Sequence, residues 1–160
     1  MSGLYLPHVR DLWVRPALAA LPQELNTLPR MQGVLGIGNK ESGYRYLAQT
    51  NPAETAKGFW QMEAATHDDM WRNFIRYRPD IQAALLRILN GAKPDAARLV
   101  DMPVYAAAMC AVHIYRSKDA LPAANDAVAW AGFWKRNYNT ESGAGIAAEA
   151  VPYFREAMEA

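Results

Sequence analysis

A single cysteine, Cys110, excludes an internal disulfide in this chain of 160 residues. It lies in an alanine-rich run, where a free thiol reads as a small buried hydrophobe. No stretch approaches the ~20 consecutive apolar residues that cross a bilayer, so no membrane insertion is expected. The sequence begins Met1-Ser2-Gly3-Leu4-Tyr5-Leu6-Pro7-His8, without a basic region followed by an apolar one, so no signal peptide is expected. Lys and Arg total 17 against 16 Asp and Glu; a formal net charge of +1 removes the electrostatic case for a nucleic-acid partner. No metal-ligand spacing occurs, and no metal or cofactor is expected. His8 and His113 are isolated in sequence, while Asp68 and Asp69 are adjacent and point to different helix faces. Thr66-His67-Asp68-Asp69 reads instead as a capping box with Asp in place of Glu.

Strand alternation is nearly absent, and helical periodicity dominates. Val9, Leu12 and Trp13 open an amphipathic turn that Pro16 is expected to interrupt. A stronger helix is predicted from about Asn26 to Glu41; its glycines, Gly33, Gly36 and Gly38, are expected to let another helix approach closely. Ile81, Leu85, Leu86, Ile88 and Leu89 form an apolar face that Asn90-Gly91 stops. Asp101 can cap the next helix. There Val104, Ala107, Ala108, Ala111, Val112 and Tyr115 share a stripe whose alanines indicate a tightly packed central helix. Leu121-Pro122 reads as a linker. Ala127, Trp130, Ala131, Trp134 and Tyr138 make another stripe, and Ile146, Ala150, Tyr153 and Phe154 a last one, kinked or restarted at Pro152. With no repeats and no low-complexity segment, residues 1–160 are expected to form one all-α domain of about eight helices around one core.

The stretch that carries chemistry is Lys40-Glu41-Ser42-Gly43-Tyr44-Arg45-Tyr46, directly after the apolar run from Met31 to Asn39. Apolar neighbours disfavour the ionised form of Glu41, and the loop from Gly43 to Lys57 leaves it open to a ligand. Those are the two requirements of a general acid near neutral pH. The same position also suits a solvated residue at a helix end, or a partner for Lys40 or Arg45.

Three stretches in order, Glu41-Ser42, Gly58-Phe59-Trp60-Gln61-Met62 and Tyr138-Asn139, resemble the motifs of lytic transglycosylases of the goose-type lysozyme superfamily. That family carries Glu-Ser at a helix end, then a Gly-Leu-Met-Gln-like turn, then an Ala-Tyr-Asn-Ala-Gly-like element. The chain departs from it at Trp60, at Asn137 before Tyr-Asn, and at Thr140-Glu141-Ser142, which sets the last glycines further out. The resemblance spans roughly residues 28 to 145. It implies a lysozyme-like helical fold with its active site in a cleft, and peptidoglycan glycan strands as substrate. It implies Glu41 as the catalytic acid, with Ser42 orienting it or touching a sugar. Gln61 offers an amide to an N-acetyl group or hydroxyls, and a Tyr138 phenol near the acid could hold a sugar or tune the carboxyl. Tyr44, Tyr46, Phe59 and Trp60 crowd the loops flanking Glu41, where aromatic faces suit sugar rings. Each has a plainer use as well: backbone bonding for Ser42 and Asn139, loop bracing for Gln61, core packing for Tyr138, loop anchoring for the aromatics.

Three functions follow from this reading. The first is cleavage of the bond between N-acetylmuramic acid and N-acetylglucosamine with formation of 1,6-anhydromuramoyl ends. The second is hydrolysis of the same bond by water, which commonly needs a second carboxylate; Glu54, Glu63, Asp68, Asp69 and Glu141 are the candidates, Glu63 foremost. The third is a structural bacteriophage virion protein with the fold but little or no activity. In each case a virion, a holin or a secretion machine is expected to deliver the chain to the periplasm or cell wall.

Overall fold

The computed structural model describes residues 2–139 and 146–160, and all its regular elements are helical. A first helical path runs through α1 (Leu6–Val9), a π-helical turn (Arg10–Val14) and α2 (Arg15–Ala20). The break expected at Pro16 is therefore a change of helical register. Proline lacks the N–H that an α-turn would use, and the wider π-turn just before it, closed by Arg15 N–H on the Arg10 carbonyl, absorbs the misfit. A short 3₁₀ turn, Gln23–Leu25, leads to α3 (Leu28–Ser42).

Helix α3 is the axis of the molecule. Thr27 caps its start by accepting the Arg30 N–H at 3.4 Å, and Gly43 ends it at φ 60°, returning its N–H to the Asn39 carbonyl at 2.9 Å. Every residue from Arg30 to Asn39 is buried. A Cβ on Gly33 would lie 2.2 Å from the Trp130 ring, and one on Gly36 would lie 2.3 Å from Phe154. These two glycines thus admit the rings of two other helices, as expected. Gly38 differs: its space is filled by the phenol of Tyr44, from the loop that follows α3 itself.

The remaining helices are α4 (Ala64–Asn73), α5 (Pro79–Leu89), α6 (Arg98–Asp101), α7 (Pro103–Arg116), α8 (Ala127–Asn137) and α9 (Ala147–Glu159). Helix α9 packs along both α3 and α8, and α7 packs against α2, α3 and α5. Residues 105–112 of α7 are all buried, which makes it the central helix that its alanines indicate. Asn90 and Gly91, both at positive φ, stop α5. Pro152 sits inside a continuous α9.

Several local expectations are corrected. The residue at the N-cap of α4 is Glu63, so Thr66 falls inside the first turn and makes no capping box. Asp69 instead pairs with Arg116 at 2.7 Å and accepts from Asn73. Asp101 does not cap α7; the cap position is Met102, and Asp101 pairs with Arg98 three residues back. Leu86 and Ile146 are exposed, off the buried stripes assigned to them.

No strand occurs among the described residues. The long loop between α3 and α4 carries only two isolated antiparallel bridges, Ala48 with Lys57 and Lys57 with Met62. No helix among the described residues is long and apolar enough to cross a membrane.

Candidate active site

The three sequence stretches singled out above converge. Glu41 at the end of α3, Gln61 in the long loop, and Tyr138 and Asn139 after α8 line one cleft of about 680 Å³. Gln49, Glu54, Thr55, Glu63 and Thr66 share its walls.

Two locks hold the loop wall to the helical frame. The indole of Trp60 is buried, and its Nε1–H donates to the Val34 carbonyl at 2.8 Å. The Tyr138 hydroxyl donates to the Trp60 carbonyl at 2.5 Å. The Tyr138 proton is therefore committed to the backbone, leaving its oxygen as an acceptor only. Burial also pushes the Tyr138 phenol and the neighbouring Cys110 thiol well above their ordinary pKa, so both stay neutral at physiological pH.

Glu41 is half-buried in the last turn of α3. Its Oε1 accepts the Nε1–H of Trp134 at 2.7 Å. Burial raises its pKa from 4.5 to about 7, against the opposing pull of that hydrogen bond and of the Lys40 charge. A carboxyl of this kind is protonated in part of the molecules at neutral pH, faces a cleft, and can both give and take a proton.

Ser42, Tyr44 and Phe59 lie behind the cleft wall. Ser42 is buried; its hydroxyl donates to the Gly38 carbonyl at 3.2 Å and accepts the Tyr44 N–H at 3.0 Å, closing the helix end. Tyr44 is also buried, its hydroxyl on the Leu35 carbonyl at 2.8 Å. Phe59 stacks on Trp13 with centroids 5.4 Å apart. Gln61, at φ 48°, donates its Nε2–H to the Gly58 carbonyl at 2.8 Å, so it braces the turn while lining the cleft. Asn139 sends its backbone N–H to the Trp134 carbonyl at 2.9 Å, and its buried Oδ1 has no hydrogen-bond partner.

Of the other carboxylates considered, Glu54 and Glu63 line the cleft, and Glu63 accepts the Thr55 hydroxyl. Asp68 and Asp69 lie away from it, on His67 and Arg116 respectively. Glu141 lies outside the described residues. His67 is buried between Asp68 and the Tyr105 hydroxyl. Among the described residues no group of three or more His, Cys, Asp or Glu side chains could hold a metal ion.

Two features of the site escape a reading of the sequence. Gln49, whose buried Oε1 has no partner, carries no motif signal. Trp134 reads only as one member of an apolar stripe. Its one clue is that a buried indole N–H needs an acceptor, and Glu41 is the acceptor it finds. Comparison with models of known protein families, with curated proteins and with solved structures found no match to this chain.

Proposed function

We propose that the protein is a peptidoglycan lytic transglycosylase that cleaves the β-1,4 bond between N-acetylmuramic acid and N-acetylglucosamine. The observation that carries the reading is Glu41, a half-buried carboxyl at a cleft whose pKa of about 7 makes it a proton donor at neutral pH. Convergence of Glu41, Gln61 and Tyr138-Asn139 on that cleft supports the link to peptidoglycan, because those residues belong to the motifs of the resemblance. In this mechanism Glu41 protonates the glycosidic oxygen as the bond from that oxygen to C1 of muramic acid breaks. The resulting carboxylate then takes the proton of the muramoyl 6-hydroxyl, whose oxygen attacks C1 and closes the 1,6-anhydro ring. The substrate's N-acetyl group stabilises the positive charge that develops between the two steps. Glu41 ends protonated, ready for the next cycle. Such an enzyme works in the periplasm or on the wall, brought there by a virion, a holin or a secretion machine.

Hydrolysis by water is the second reading, and one observation favours it: Glu54 and Glu63 bring further carboxylates to the same cleft. Mass spectrometry of digested, purified peptidoglycan separates the two. Muropeptides with 1,6-anhydro ends, lighter by one water than lysozyme products, are expected. Soluble products that all carry reducing muramic acid would assign the protein to the hydrolases, with Glu63→Gln and Glu54→Gln the next variants to assay. No soluble product at any pH would overturn both.

A further inference from the structure

The indole that meets Glu41 is itself engaged on its face. Lys40, the residue before the acid, places its ammonium nitrogen 5.3 Å from the centroid of Trp134 and 5.1 Å from that of Tyr153 in α9. The cation is thus held between two aromatic rings, one from α8 and one from α9. On its other side, in the ring plane, Trp134 directs Nε1–H at Glu41 Oε1. The second oxygen of Glu41, Oε2, has no hydrogen-bond partner among the described residues, and the side chain lines the cleft. A cation on an indole face draws density from the ring and makes its N–H a better donor, and a hydrogen bond to an ionised acceptor is stronger than one to a neutral acceptor.

We propose that Lys40 and Trp134 form a positioning pair for Glu41: the indole N–H holds Oε1, so that Oε2 is the oxygen that gives and takes the proton, and the Lys40 ammonium tightens that hold through the ring. The part played in glycan cleavage rests on the transglycosylase reading; the pairing itself does not. Burial alone would leave the carboxyl protonated well beyond neutral pH, and so weak an acid would be a poor proton donor to the glycosidic oxygen in the first step. The pair opposes that burial. The other groups facing Glu41 do not imitate it. Cys110 from α7 and Tyr138 after α8 are neutral, and Glu54 and Glu63 from the long loop are carboxyl groups present in every variant below.

The test is an NMR titration of labelled protein from about pH 4 to about pH 9, following the Glu41 carboxyl carbon and the Trp134 indole N–H. In the wild type the indole resonance is expected to move with the same midpoint as the Glu41 carboxyl, and in Glu41→Gln to stay flat. Trp134→Phe, which keeps a ring and removes the N–H, is expected to raise the Glu41 midpoint by about one pH unit or more. Lys40→Met is expected to raise it by about half a unit, and by clearly less in the Trp134→Phe background. The direct charge of Lys40 acts in both backgrounds, and the path through the ring only where the indole N–H is present. Equal rises in the two backgrounds overturn the part given to Lys40. An indole resonance that ignores the Glu41 transition overturns the proposal. So does a folded Trp134→Phe whose Glu41 midpoint stays within about 0.3 units of wild type, a small fraction of what a charged hydrogen bond contributes. Should Trp134→Phe fail to fold, the wild-type indole titration decides. In wall digestion the alkaline limb of the pH–rate profile is expected to move upward by the same shifts. Absence of lytic products with the titrations as expected would remove the enzymatic reading and leave the pair standing.

Discussion

Helix α3 carries an ionisable side chain withdrawn from water near each end, Arg30 fully and Glu41 in part, and the fold treats them oppositely. Arg30 stands in its first turn and Glu41 in its last. Each lies at the end whose partial charge has its own sign, so the helix dipole opposes both. Burial pushes both toward neutrality: the Arg30 guanidinium is drawn below its ordinary pKa, and Glu41 above its own. Arg30 cannot follow, because guanidinium keeps its proton at any physiological pH. It is given a ring face instead, lying 5.4 Å from the centroid of Tyr115, with a long 3.5 Å hydrogen bond to the Ala111 carbonyl and an Nε that has no partner. Glu41 can follow, and it opens on a cleft. The same electrostatic penalty is a structural cost at one end and a source of transferable protons at the other.

Four experiments probe that contrast. The largest effect is expected for Glu41→Gln, which should lower wall-lytic activity by ~10²–10⁴-fold because an amide supplies no proton. A turbidity assay that finds more than half the activity retained removes Glu41 from the chemistry.

The next largest is in stability. The folded pKa of Glu41, about 7, exceeds the value of 4.5 that the unfolded chain approaches. The native state therefore binds more protons between those values, and stability from this group is full below pH ~4.5 and is lost as pH rises through ~7. The loss is on the order of 3 kcal/mol by pH 8.5. Glu41→Gln should accordingly match wild type at pH 4.5 and exceed its Tm by roughly 5–10 °C at pH 8.5. His113, whose burial lowers its pKa from 6.5 to about 4, destabilises the fold as pH falls through that window, but it is common to both proteins and cancels in the difference. A Tm difference that does not grow with pH shows that Glu41 ionises without penalty.

Between the two ends, Gly33→Ala should cost about 1–3 kcal/mol in urea unfolding, because the new methyl meets the Trp130 ring with no room to give. A neutral result means that α8 stands further from α3 than described. The smallest effect is expected at the other end. Arg30→Met keeps much of the volume and removes a buried cation without a carboxylate partner, so stability should stay within about 1 kcal/mol of wild type or rise. Lytic activity per folded molecule should be unchanged. A large loss of stability there would mean that the Tyr115 ring face offsets far more of the burial than one cation–π contact normally does.

What the sequence disclosed follows from how local each signal is. Helical class, the stop at Asn90-Gly91, the burial of α7 and the end of α3 at Glu41-Ser42-Gly43 all rest on neighbours within a turn or two. Caps were less legible, since Thr66 and Asp101 have the right side chains one or more residues away from the position where the chain begins to coil. Tyr44 is hard to place from the sequence for a different reason. Gly38 leaves a hole at the surface of α3, and Tyr44 fills it, which no periodicity within the loop could reveal. The partner of Glu41 was the least legible feature, because Trp134 lies 93 residues further along the chain.

That separation has a consequence for how the protein is made. Synthesis proceeds from the N-terminus, so α3 and its carboxyl are complete while α8 and α9 have yet to emerge. Contacts of such long range close late, after much of the chain has been ordered at an entropic cost. Until α8 docks, Glu41 has no indole to hold its carboxyl. The arrangement around the acid is thus completed only with the last fifth or so of the polypeptide, and a chain cut short before α8 carries the carboxyl without the indole that holds it.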